Sequence, residues 1–158
     1  MIRSENIRLF FIGLGIVAIQ IVLLRHLEIL GAESDLVLLF LLWLATKKSK
    51  TKVLLYAAFL GLLQDALTDL WGLNMFSKTV LIFILYGYLN RISQNRFLYW
   101  QIFLIILMAA FLHNLIFYGV SLFTELYSGG HMIWNLLIIS SIFTAIVGSF
   151  LHMVRIDI

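Results

Sequence analysis

Residues 53–70 read VLLYAAFLGLLQDALTDL, an apolar run of about the length that one helical crossing of a membrane needs. Asp65 and Asp69 are four residues apart in this run, and Ala57 and Gly61 continue the same row of a helix. Small residues let a second helix approach closely, whereas a carboxylate at the centre of a membrane helix costs about 2.5–3.5 kcal/mol unless it is satisfied. The row therefore predicts a face that packs against protein or lines a wet cavity, and that does not contact lipid.

The composition of the whole chain is that of a membrane protein. Of the 158 residues, 63% are apolar and 12% are charged, and the mean hydropathy is +1.05. A soluble domain of this length needs a much more charged surface. The formal charge of +3 does not indicate nucleic-acid binding, because the basic residues form short clusters at predicted helix ends. The absence of cysteine excludes disulfides and Cys-ligated metals.

The apolar runs predict an all-α membrane protein, a compact bundle of about six transmembrane helical segments in a single domain, residues 1–158. Segments two and four are short, so each is either half a span or a span extended by polar ends. Ser34 and Asp35 are expected to cap segment two, and Gly72 is expected to adopt a left-handed conformation in the turn before segment four. The six segments are residues 7–24, 36–45, 53–70, 78–89, 97–123 and 133–154.

The distribution of Lys and Arg predicts that both termini face the cytoplasm. With six crossings and the N-terminus inside, nine of the eleven basic residues fall on the cytoplasmic side. Only Arg25 and Lys78 then fall outside. This asymmetry is the one that positive-inside topology requires, and removing any single crossing would place basic clusters on both sides.

Several polar side chains fall at similar depth in the outer half of the predicted bundle. They predict a polar pocket open to the exterior, although each could instead make a structural hydrogen bond between helices. For Asp69 a further reading is simple exposure at the membrane surface. The residues of the predicted pocket are Gln20, Asp65, Asp69, His113, Asn114 and Asn135.

The sequence predicts no enzyme, no metal and no cofactor. A carboxylate dyad needs two carboxylates that converge, and here one helix supplies both Asp65 and Asp69. A metal site formed by these two residues and His113 has suitable ligands but no diagnostic spacing. The chain also contains neither a Gly-rich phosphate loop nor a nucleophile elbow.

Residues 61–89, GLLQDALTDLWGLNMFSKTVLIFILYGYL, resemble the MreD family of bacterial rod shape-determining membrane proteins. Residues 34–45, SDLVLLFLLWLA, are similar to the family's Asp-plus-leucine run, with Ser34 where a proline usually precedes the aspartate. The matching positions in the longer stretch are Gly61, Asp65, Gly72 and Leu73, together with Gly87 and Tyr88.

The resemblance implies a non-enzymatic scaffold in the inner-membrane machinery that elongates the lateral cell wall. Such a protein is expected to bind MreC, a single-span protein with a coiled coil. It would thereby help to link the cytoplasmic MreB to the wall-synthesising glycosyltransferase and transpeptidase. The row and its turn, Ala57, Gly61, Asp65, Asp69 and Gly72, would pack helices together or face the partner.

Two alternatives remain open from the sequence. Substrate-binding membrane subunits of vitamin or metal-ion importers are also small six-helix proteins, and the MreD family is thought to share their architecture. Segment one lacks the Ala-x-x-x-Ala pattern with which such subunits often couple to a transporter. The other alternative is a packing or assembly protein outside both families.

Overall fold

The computed structural model describes residues 2–22, 33–92, 98–124 and 135–154, and every regular element in these ranges is helical. The predicted all-α fold is therefore confirmed. A π-helical turn, Asn135–Ile139, leads directly into the last helix. The helices are α1 Ile2–Val22, α2 Leu36–Ala45, α3 Lys50–Thr68, α4 Leu73–Ile92, α5 Tyr99–Thr124 and α6 Ser140–Met153.

Two of these helices are long and apolar enough to cross a membrane. They contribute the stretches Glu5–Val22, with a mean hydropathy of 1.7, and Tyr99–Phe123, with a mean hydropathy of 2.1. Helix α2 has ten residues and spans about 15 Å at 1.5 Å per residue, so the short segment two is confirmed with its predicted bounds.

Helix α4 corrects the prediction for segment four. The apolar pattern predicts a short segment at residues 78–89, whereas α4 runs from Leu73 to Ile92 and has 20 residues. Asn74 and Ser77 fall in the turn that the sequence predicts and Lys78 begins the predicted segment, but all three side chains are buried in the bundle. Because residues outside α4 supply each of the three side chains with a polar contact, the helix begins five residues earlier than hydropathy indicates.

Helix α2 lies at the centre of the described bundle. Seven of its ten residues are buried, and Leu38, Leu41 and Leu44 have no exposed surface. These side chains belong to one apolar core with buried residues of α1, α3, α4 and α5. Val37 and Leu38 in the first turn of this short helix are buried, so their backbone N–H groups must find hydrogen-bond partners inside the protein.

Two glycines permit the closest contacts between helices. A Cβ atom on Gly61 would lie 2.6 Å from the Cα atom of Met75 and 2.8 Å from its backbone nitrogen. A Cβ atom on Gly148 would lie 2.5 Å from Leu39 Cδ2 and 2.9 Å from Ile106 Cδ1. Gly61 therefore lets the first turn of α4 rest directly on α3, and Gly148 lets α6 reach both α2 and α5.

Contacts at the two ends of the bundle differ in character. At the end where α1 and α3 begin, here called the basic end, Lys48 forms an ion pair with Glu5. The Tyr56 hydroxyl donates to the backbone oxygen of Asn6 (3.0 Å), and the Tyr86 hydroxyl donates to that of Lys48 (2.9 Å). The opposite end, where α2 and α4 begin, holds a buried group of polar side chains.

We expect Gly61→Ala to lower the melting temperature of the detergent-solubilised protein, because the added methyl group meets backbone atoms of α4. Overpacking of this kind costs about 1–3 kcal/mol. Gly87→Ala is the matched control, since a Cβ atom there has no neighbour within 4 Å. Equal melting temperatures for the two variants would show that the close approach at Gly61 is dispensable.

Candidate functional site: a polar network at the helix starts

The start of α2 is held by two other helices and by its own N-cap residue. Asp35 occupies the N-cap position, where its Oδ1 accepts a hydrogen bond from the backbone N–H of Leu38 (2.8 Å). The N–H of Val37 donates to Gln20 Oε1 of α1 (2.9 Å), and the N–H of Asp35 donates to Thr144 Oγ1 of α6 (3.0 Å). Amide groups that would be unsatisfied at a buried helix start thus find partners on α1, on α6 and on the cap itself.

The start of α4 is capped by a residue of the preceding helix. Asp65 of α3 accepts hydrogen bonds from the backbone N–H groups of Asn74 (2.9 Å) and Met75 (2.8 Å), and from Asn74 Nδ2 (3.0 Å). The residue before α4 is Gly72, which has no side chain to act as a cap. The carboxylate of Asp65 takes this role, and its negative charge is favourable at the positive end of the helix dipole.

Asp65 also ends its own helix. Its backbone oxygen accepts hydrogen bonds from the N–H groups of Asp69 and Leu70 as the chain leaves α3. The same residue therefore closes one helix through its carbonyl group and starts the next through its carboxylate. This double role gives a physical reason for the order Gly61, Asp65 and Gly72 in the quoted motif.

Lys78 joins the two helix starts. Its Nζ lies 2.7 Å from Asp35 Oδ2 and donates to Asn74 Oδ1 at 2.8 Å. Lys78 is the largest of the fully buried side chains in the described ranges, and the side chain of Asp35 is 13% exposed. An ammonium group so far from water needs a charged partner, and Asp35 supplies it.

His113 and Asn114 of α5 extend the network to α6. Ser77 Oγ lies 3.1 Å from His113 Nε2, and His113 Nδ1 lies 3.2 Å from Asn114 Oδ1. Asn114 Nδ2 donates to Ser141 Oγ at 3.0 Å. Asp35 Oδ2 is 4.0 Å from His113 Nδ1, so the ring borders the ion pair.

The structure brings together four of the six residues of the predicted pocket. Gln20, Asp65, His113 and Asn114 are all buried and all take part in the network. Asp69 lies outside it, because α3 ends at Thr68 and the exposed Asp69 takes a left-handed conformation with φ 59°. The backbone of Asn135 begins the π-helical turn, and its side chain lies outside the described residues.

The other residues predicted to pack helices or to cap them also divide into those that lie where expected and those that do not. Ala57 and Gly61 are buried on the face of α3 that also carries Asp65. Asp69 leaves this face where the helix ends, so the row of four continues for three members only. Gly72 has φ +91°, which confirms its predicted left-handed conformation. Asp35 caps α2 as expected, whereas Ser34 Oγ has no hydrogen-bond partner within the described part of the chain.

Sequence reasoning missed the central ion pair. Lys78 was assigned to an exterior position, and Asp35 was identified as a cap but not as a counter-ion. One signal was present: Asn74, Ser77 and Lys78 have the i, i+3, i+4 spacing of a single helix face. Three neighbouring polar residues on one face of an otherwise apolar helix are as consistent with an interior polar contact as with a loop.

The structure gives no indication of a metal site within the described ranges. The residues in these ranges contain no group of three or more His, Asp or Glu side chains suited to hold an ion.

The comparison with protein families decides among the readings that the sequence left open. A family model described as rod shape-determining protein MreD matches residues 5–154. The chain belongs to the MreD family. The resemblance noted at residues 61–89 thus extends over nearly the whole sequence, and it gives this MreD-family protein a role in determining rod shape. No match to the chain was found among curated proteins or among solved structures.

Membership in the MreD family agrees with the physical character of the chain. The family consists of shape-determining structural proteins and is not a known enzyme family. The family and the two long apolar helices are both consistent with a membrane protein. The motif residues Gly61 and Asp65 form the joint between α3 and α4 in this member.

We expect Lys78→Met to destabilise the protein strongly, because it leaves Asp35 buried without its counter-ion. Removing one partner of a buried pair typically costs about 3–5 kcal/mol. The double variant Lys78→Met/Asp35→Asn should recover part of this loss, which a double-mutant cycle of unfolding measurements detects. Lys48→Met, which removes the exposed pair with Glu5, is the control and should have the smaller effect. Additive losses in the cycle would contradict a direct interaction.

A second pair of variants distinguishes the role of Asp65 in α3 from that of Asp69, which follows the helix. Asp65→Asn keeps the shape of the side chain but removes its charge and one acceptor oxygen, so we expect a loss of about 1–3 kcal/mol. Asp69→Asn should change stability by no more than about 0.5 kcal/mol, because Asp69 is exposed and Asn tolerates the left-handed conformation. Thermal unfolding of both proteins in the same detergent checks this. An equal effect of the two substitutions would mean that the capping role is wrong.

Proposed function

We propose that this MreD-family chain is a non-enzymatic, multi-pass scaffold of the cell-elongation machinery in the bacterial inner membrane. It forms one membrane domain, residues 1–158, and binds an MreC-like single-span protein with a coiled coil. Through this partner it helps to couple MreB to the glycosyltransferase and transpeptidase that build the lateral wall.

The proposal rests on the hydrogen bonds that the interior polar groups make. Asp35, Asp65, Lys78, His113 and Asn114 are hydrogen-bonded to one another or to neighbouring helices. These bonds connect α2 to α4, α3 to α4, α4 to α5 and α5 to α6. Such a network rigidifies a bundle and fixes its helix positions, which is what a binding platform requires. On this proposal the residues of the predicted pocket serve structure, and ligand binding is not their role.

The proposed topology has six crossings and both termini in the cytoplasm. The basic end of the bundle, with Lys47 and Lys48 between α2 and α3 and with Lys50 and Lys52 in the first turn of α3, then lies on the cytoplasmic side. The polar network lies on the outer side. Lys78, one of two basic residues assigned to that side, is neutralised by Asp35, so its outward position does not oppose the charge asymmetry.

One face of α3 is buried within the chain, so its residues are not available to contact a partner. Ala57, Gly61 and Asp65 pack within the chain, and they are therefore proposed as helix-packing residues. Asp69 and the turn that follows it are exposed and remain available to a partner at the outer surface. The alternative function, a substrate-binding subunit of an importer, receives no support from the family comparison, and an importer-like architecture stays a prediction.

Purification of the tagged protein from its native membrane in a mild detergent tests the proposal. We expect a single-span coiled-coil protein to co-purify, and we expect Asp65→Asn to reduce its recovery in proportion to the loss of folded protein. Asp69→Asn, which leaves the fold intact, separates contact from folding. Recovery of a pair of cytoplasmic ATPases with a bound small molecule would instead establish the importer subunit.

A further inference from the structure

A surface groove runs between α1 and α3 near the basic end. Its lining residues are Phe10, Leu55, Tyr56 and Phe59, and its volume is about 190 Å³. The rings of Phe10 and Phe59 lie 5.3 Å apart. The hydroxyl of Tyr56 is occupied by the backbone oxygen of Asn6 at 3.0 Å, so the residue offers its ring to the groove. The lining is therefore apolar.

Positive charge lies at one end of this groove. Lys52 is exposed and precedes Leu55 and Tyr56 by three and four residues, which places it on the same side of α3. Nearby, Lys48 is paired with Glu5, and Lys52 is close enough to Glu5 for an electrostatic interaction. Two lysines against one glutamate leave a net positive charge at the mouth of an apolar groove.

The shape and the charge of the groove distinguish between possible occupants. Interfaces between membrane helices favour small residues that let two backbones approach, and none of the four lining residues is small. A flexible acyl chain needs no such approach. The positive end lies where the apolar part of the bundle meets a membrane surface, which is the level of the phosphate groups of a lipid. We propose that the groove binds one anionic phospholipid, with an acyl chain against Phe10 and Phe59 and its phosphate near Lys52.

This site is separate from the scaffold function, because it uses neither the polar network nor a protein partner. It gives the basic end a specific lipid contact in addition to its part in topology. The binding energy is expected to combine burial of acyl-chain surface with the attraction of a lysine to an anionic headgroup.

Native mass spectrometry of the full chain, with phosphatidylglycerol or phosphatidylethanolamine added to the detergent, tests the proposal. We expect phosphatidylglycerol to be retained in preference, and Lys52→Gln to weaken its binding about fivefold. That change corresponds to about 1 kcal/mol for one lysine near an anionic headgroup. Arg8→Gln is the matched control, because Arg8 is exposed at the same end but lies about 200° around α1 from Phe10.

A second pair of variants tests the apolar part of the site. Leu55→Asn should reduce retention of both lipids, whereas Leu67→Asn, at another exposed position of α3 away from the groove, should not. Equal effects of Lys52→Gln and Arg8→Gln, or equal retention of the two lipids, would overturn the proposal. So would a photo-crosslinking residue at position 55 that captures a protein and no lipid in the native membrane.

Discussion

The ion pair between Lys78 and Asp35 is the contact on which the arrangement of the helices depends. Its two residues are 43 positions apart in the chain, and it joins the starts of α2 and α4 inside the bundle. Each charge would be expensive away from water without the other. The pair therefore permits few other arrangements of these helices: a shift of α4 relative to α2 would leave the buried ammonium group of Lys78 without its counter-ion and the largely buried carboxylate of Asp35 without its basic partner.

The remaining contacts follow from the need to begin helices away from water. Asp65 supplies the cap that Gly72 lacks, and Gly61 brings the first turn of α4 within its reach. His113 and Asn114 carry the same network to α6 through Ser141. A bundle held in this way resists changes in helix position at one end. On the proposed function, that stiffness is what lets a member of the MreD family present a constant surface to its partners.

Sequence reasoning identified the face of Ala57, Gly61 and Asp65 as a protein-facing one, and it placed four of the network residues at one level. It could not assign their partners, because each partner lies on a different helix and only folding brings the two together: Asn74 for Asp65, Val37 for Gln20 and Ser141 for Asn114. For the same reason, the sequence distinguished Asp69 from Asp65 only by its expected depth in the membrane. The left-handed end of α3, which removes Asp69 from the buried face, depends on how the chain turns into α4.

By itself the sequence determined the helical class, the bounds of α2 and the family, because apolar composition and short motifs are local properties of the chain. The start of α4 and the place of Lys78 were decided only by the tertiary structure. Hydropathy treats a lysine as exposed, since a lone charge in a membrane is costly. Folding brings Asp35 within 2.7 Å of that charge, so Lys78, predicted as an exterior residue at the start of segment four, lies buried in the polar network.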